Sequence, residues 1–161
     1  MRRLALFFAM IVLAVQIRAR AQANAHCQVV PRTFTAMHGC FRPLLVFSPA
    51  PVDARLHRQA ALLDADADDM MDRFVLFTPI SPDSRRAGTP VDSPWTVLPQ
   101  AQMDEVRARF HIPAGQFAVL LLDEDGSVML RSANPVNPSR LNALIDRTPL
   151  RQAEMRRPGA N

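Results

Sequence analysis

Cysteine occurs only twice in 161 residues, and none follows Cys40. Chemistry that needs a thiolate at the tip of a helix beyond that point has no nucleophile to use. Lysine is absent altogether, so all 19 basic side chains are arginine. Beside the many alanines and the 14 prolines, this reads as the codon bias of a GC-rich bacterial genome. Glycine is scarce, at five residues, and none flanks Ser48. The glycine-bounded turn that presents a nucleophilic serine is therefore missing, and a hydrolase using Ser48 with His57 or His111 has no support. Metal-binding spacing is absent too, because His26, His38, His57 and His111 show no paired pattern. The run DADADDMMD sets Asp64, Asp68 and Asp72 on one helical face, but Asp69 and Val75 stand where a calcium loop requires a glycine and a bidentate acid. We assign neither a metal nor a cofactor.

What is present begins with an export signal. Arg2 and Arg3 precede the apolar run LALFFAMIVLAV, Leu4 to Val15, which is short for a membrane span and has the charge-then-apolar order of a secretory leader. The following ARAQANA offers cleavage after Ala23 or after Ala25. Arg18 and Arg20 are atypical of a cleavage region, and an uncleaved anchor is the alternative. The expected organisation is a signal peptide over 1–25, an N-terminal linker over 26–39, a folded domain over 40–155 and a flexible tail over 156–161. Such a protein is periplasmic or secreted, with no stable membrane insertion once the leader is cut. Without Arg2, Arg3, Arg18 and Arg20, the 19 basic residues fall to 15 against 15 acidic ones. A near-neutral domain with no basic stripe interleaved with aromatics makes nucleic acid a poor partner.

PLLVFS, Pro43 to Ser48, reads as a central strand covered on both faces. Asp53 stands at the start of a helix whose apolar face carries Leu56, Ala60, Leu63, Ala67 and Met70. RFVLFTPI, Arg73 to Ile80, is a second apolar strand, so the strand–helix–strand order implies a parallel crossover. Four prolines from Ser81 to Pro99 indicate a loop, with the single Trp95 expected to tuck its ring against the core. Met103, Val106 and Phe110 mark a short helix, and FAVLLLDEDGSVMLR is a hairpin turned at Gly126. Leu141, Leu144 and Ile145 give a final helix, capped near Asn137 or Ser139 and expected to stop at Pro149 before a polar tail.

The order β-α-β-α-β-β-α combines a parallel crossover with a hairpin. It specifies an α/β fold of the thioredoxin-like type, with a four-stranded mixed sheet in strand order 2-1-3-4 and helices on both faces. RPLLVFSPAP, Gln59, the DEDGSVMLR hairpin and LIDRTPLRQAEMRR resemble the exported domain-of-unknown-function family numbered 4174, a thioredoxin-like module also found within some secreted vertebrate matrix proteins. The resemblance spans about Cys40 to Met155, with Thr148 and Leu150 where bulkier methionines are usual. It implies the fold and export, and the family lends no established chemistry.

In thioredoxin-type chemistry a thiolate sits at the amino end of the first crossover helix, activated by the helix dipole. Here Val52 and Arg55 fall at or beside the two cysteine positions. The loop ahead of the third strand should carry a cis proline; Pro113 comes several residues too early, with Gln116 to Ala118 nearer the place. Cys27 and Cys40 lie ahead of the first strand, where export would favour a bridge that restrains the chain's approach to the fold. Two free thiols or a catalytic pair are the alternatives. The polar residues expected to converge are Arg42, Gln59, Arg147, Arg151 and Glu154, whose guanidinium groups would suit a carboxylate, sulfate or phosphate ester if they face a ligand. The expectation is a non-catalytic binding or scaffolding module whose partner is a protein or small anionic ligand. The alternative is an atypical thiol or peroxide redox protein using Cys27 and Cys40.

Overall fold

All six residues of β1, Arg42–Phe47, are buried, as a strand covered on both faces requires. The computed structural model describes residues 30–156; Cys27, His26, the leader and residues 157–161 lie outside them. β1 is followed by α1 (Ala54–Asp64), α2 (Ala67–Asp72), β2 (Val75–Ile80), α3 (Gln100–Arg109), β3 (Ala118–Leu122), β4 (Val128–Ser132), α4 (Pro138–Ile145) and α5 (Pro149–Met155). The four strands lie in the order β2-β1-β3-β4. β1 runs parallel to β2 and antiparallel to β3, and β4 returns antiparallel along β3 with a register shift at Leu121/Leu122. The expected α/β, thioredoxin-like sheet is therefore the observed one.

Strand alternation divides the apolar residues into two cores. Leu44, Val46, Val75, Phe77, Val119 and Leu121 face Leu56, Leu63, Met70, Leu141 and Ile145 of α1, α2 and α4. Leu45, Phe47, Leu76, Ile80, Leu120 and Leu122 face Met103 and Val106 of α3, with Phe34, Met37 and Phe110. Residues 31–39, expected as a linker, instead complete this second core. Phe34 and Met37 are buried, the Phe34 amide donates to Gln102 Oε1 at 2.9 Å, and the Thr96 hydroxyl donates to the Pro31 carbonyl at 2.7 Å. A core layer with only one helix on that face needs this extra apolar cover.

Three local expectations are corrected. The single helix from Asp53 to Met70 is two, because Asp66 leaves helical geometry at φ −132°, ψ 40°. The break coincides with Asp64 turning its carboxylate to the amides of Val91, Asp92 and Ser93 at 2.8–3.1 Å. Asp64 thus ends one helix while Asp68 and Asp72 belong to the next. Pro149 does not end the last helix but opens α5 at its first position, with the Thr148 hydroxyl accepting from the Arg151 amide; proline is favoured there because its missing N–H would have no helical partner. Trp95 is 43% exposed, since backbone bonds and not ring burial hold it: the Phe77 amide donates to the Pro94 carbonyl and the Thr96 amide to the Phe77 carbonyl.

The hairpin turns where expected. Gly126 has φ +82°, and a Cβ there would lie 2.6 Å from His38 Cε1, closer than contact allows. At the opposite end of the sheet, Arg107 ties the carboxyl ends of β1 and β2 together. Its Nη2 donates to the carbonyls of Ile80 (2.8 Å) and Ser48 (3.4 Å), its Nη1 donates to that of Pro113 (3.0 Å), and its guanidinium lies 5.4 Å from the Phe47 ring.

Candidate functional site

The tip of α1 is where this architecture activates thiols, and it is built here from other groups. Ser48 is buried, its hydroxyl donating to the Ala50 carbonyl at 2.7 Å, so it serves a turn and does not face a substrate. Val52 is 71% exposed. Asp53 caps the helix by accepting from the Arg55 amide at 2.8 Å, and Arg55 returns two side-chain hydrogen bonds to the same carboxylate at 3.0 and 2.6 Å. The Arg55 side chain holds the Asp53 carboxyl below its usual pKa, outweighing the opposing effect of burial. The same guanidinium stacks 4.5 Å above Phe117, a buried residue just ahead of β3. Every peptide bond among the described residues is trans. The helix dipole thus meets a carboxylate already neutralised by its own neighbour.

Cys40 belongs to the other end of the sheet. It precedes β1, whereas Asp53 follows it, and six strand residues separate those ends by roughly 17 Å. Cys40 is half-buried against the second core and is disulfide-bonded.

At that same end the sequence-singled polar residues partly converge. Arg42 is fully buried. Its Nε donates to Asp123 Oδ1 at 3.3 Å, its Nη1 to the Arg73 carbonyl at 3.0 Å and to Glu154 Oε2 at 3.4 Å, and its Nη2 to Glu154 Oε1 at 2.8 Å. Glu124 Oε1 lies 3.2 Å from Nη2. Four hydrogen bonds thereby engage the guanidinium, and Glu124 adds a charge contact. Burial weakens the charged form, and the Glu154 hydrogen bond with the carboxylates of Glu124, Glu154 and Asp123 more than offsets it, so the pKa is raised. Arg151 joins Glu154 at 3.3 Å and donates to the Asp72 carbonyl and carboxylate. Arg73 links Asp146 at 2.9 Å with Asp69 at 3.0 Å. The anion receptor considered for Arg42, Arg151 and Glu154 is instead an internal ion network that fastens α2 and α5 to the base of the sheet.

The other two candidates lie apart. Arg147 is exposed and joins no ion pair among the described residues. Gln59, fully buried in α1, donates to the Val136 carbonyl at 3.0 Å and accepts from the Val136 amide at 2.7 Å, mimicking a strand pairing that anchors the segment before α4. Replacing Gln59 by Leu is expected to cost about 2–4 kcal/mol, because both Val136 backbone groups become unpaired in the core; chemical denaturation checks this, and a loss below about 1 kcal/mol would contradict the assigned role.

Sequence reasoning missed Asp123 and Glu124, read only as part of a turn, and Asp72, read as a solvated helix end. The usable signal was the position of DEDG, since a hairpin between antiparallel strands beside β1 must return to the end where Arg42 enters. Glu124 is the unusual member. Burial pushes its carboxyl up to about 7, aided by the Glu154 and Asp123 carboxylates and opposed by Arg42. Among the described residues no group of His, Cys, Asp and Glu is arranged to hold a metal ion, and no helix is long and apolar enough to cross a membrane.

Comparisons with known proteins agree with this geometry. No curated protein matches the chain significantly. Among solved structures, thioredoxin peroxidase I of Plasmodium yoelii superposes with a TM-score of 0.51 at 18% identity, covering 76% of this chain and 80% of that one. The reduced 2-Cys peroxiredoxin of Plasmodium vivax gives 0.52 at 16% identity, covering 76% and 84%. At these identities the likeness is one of thioredoxin-type fold. The description Domain of unknown function (DUF4174) matches residues 33–154, and it is to this family that the chain belongs.

Proposed function

We propose that this protein is an exported, non-catalytic binding module on a thioredoxin-like scaffold. The observation that carries the reading is the tip of α1, where Asp53 and Arg55 satisfy one another and no sulfur is present. A thiolate there would gain from the helix dipole and unpaired amides; a capped carboxylate has nothing to transfer. The remaining thiol chemistry would have to come from Cys40, at the far end of β1, with Cys27, and we assign that pair to a structural bridge. The leader over 1–25 directs the chain to the periplasm or medium.

The purified exported protein is expected to show no disulfide reduction and no peroxide consumption above background with dithiothreitol as electron donor. The Cys40→Ser variant separates the two roles. A structural bridge predicts a loss of about 2–3 kcal/mol in stability with no activity to lose. Turnover that disappears in Cys40→Ser while the melting temperature holds would establish the redox alternative and overturn the proposal.

A further inference from the structure

On the side of the sheet covered by α1 and α2, an exposed apolar strip runs along the outer edge of β2. Trp95 is the parallel bridge partner of Phe77. Paired strand residues project to the same face, and Phe77 packs with Leu56, Leu63 and Met70, so Trp95 stands on the α1–α2 side. Val91, four residues earlier on the same segment, is 86% exposed, and Met71 and Phe74, just ahead of β2, are half-exposed. Phe74 holds φ +53°, a left-handed conformation that glycine adopts freely and a bulky residue adopts at a cost. A half-exposed ring gives the core little in return for that strain.

The surroundings carry one sign of charge. A concavity of about 540 Å³ beside the strip is lined by Asp64, Asp66, Asp68, Asp69 and Asp92 with Met71. Asp64 is occupied by the amides of the 91–93 loop, which pins Val91 and Asp92 against the end of α1. Asp69 is paired with Arg73. Asp66, Asp68 and Asp92 are exposed and make no ion pair among the described residues. No basic side chain lines the concavity.

We propose that this face docks a cationic, apolar-bearing polypeptide segment, with aliphatic or aromatic side chains set on Trp95, Met71 and Phe74 and arginine or lysine set against Asp66, Asp68 and Asp92. The inference rests on the binding-module reading and names its partner class. Charge complementarity selects the occupant: an apolar strip rimmed by uncompensated carboxylates attracts a basic segment and repels an acidic one.

Trp95 supplies its own probe, being the only tryptophan in a chain without tyrosine. The test titrates the purified protein with a synthetic 18-residue amphipathic peptide carrying leucine on one face and arginine on the other, and with the same peptide carrying glutamate in place of arginine. The arginine peptide is expected to give a saturable shift of Trp95 emission, weakened about tenfold in the Asp68→Arg/Asp92→Arg variant, and the glutamate peptide none. The variant's melting curve confirms that it is folded, and Asp66→Arg serves as the second variant if it is not. An equal response to both peptides, no response, or a shift that follows protein concentration alone, as self-association would produce, overturns the proposal. Reductase or peroxidase turnover is read separately, so loss of the binding-module reading and loss of this docking face are distinguishable.

Discussion

Replacing Arg42 by Met is expected to lower the unfolding free energy by about 3–5 kcal/mol, the cost of removing one partner from a buried ion cluster. Against a total of roughly 5–15 kcal/mol for a domain, that leaves the fold marginal or lost. Methionine fills much of the volume, so the loss arises from charge and not from a cavity. Asp123, Glu124 and Glu154 all point at the Arg42 guanidinium, and without it three carboxylates crowd a poorly solvated space. The double variant Arg42→Met/Glu154→Leu tests this account, because an apolar pair of similar volume often replaces a buried ion pair at little cost. It should recover part of the loss in urea denaturation. A single variant within about 1 kcal/mol of the parent would mean that the network contributes little.

The second large effect is on pH dependence. In the folded protein Glu124 titrates near 7, above its ordinary 4.5, so the folded state keeps a proton that the unfolded chain has already released. Its contribution is fully present below about pH 4.5 and is lost as pH rises towards 7. Over that window the change is on the order of 3 kcal/mol at 1.36 kcal/mol per pH unit. The carboxyls of Asp53, Asp64 and Asp125 are held below their usual values and act oppositely, losing their contributions as the solution is acidified below about pH 4. Stability should therefore peak in mild acid, near pH 5. Glu124→Gln supplies a permanently neutral group of the same shape. It should flatten the fall between pH 5 and 7 and be more stable than the parent at pH 8. Parallel profiles for the two proteins would refute the assignment to Glu124.

The parts of the fold visible in the sequence are those governed by near neighbours. The unbroken apolar run from Leu44 to Phe47 shows a strand buried on both faces, Asp53 marks the start of α1, and Gly126 marks the hairpin; these features need only local sterics and composition. The division of α1 from α2 was not visible, because the apolar spacing from Leu56 to Met70 suits an unbroken helix and the break accompanies contacts made by Asp64 to residues 91–93. Pro149 carries two meanings, stop and start, and only the position of Thr148 before it separates them. Of the candidate polar residues, the meeting of Arg42 with Glu154 was legible from the expected sheet geometry. Its completion by Asp123 and Glu124 was not, since nothing local shows that an arginine beside a strand proline will be sealed from water. The lack of a cysteine at the α1 tip was legible throughout, because it depends on which residues are missing.

The partners of Arg42 lie unevenly along the polypeptide, with Glu154 112 positions later. A nascent chain emerging amino end first therefore exposes its central strand with an unanswered positive charge until almost all of the domain has followed. Long loop closure must precede that neutralisation, which makes α5 a finishing clasp and favours slow, late consolidation.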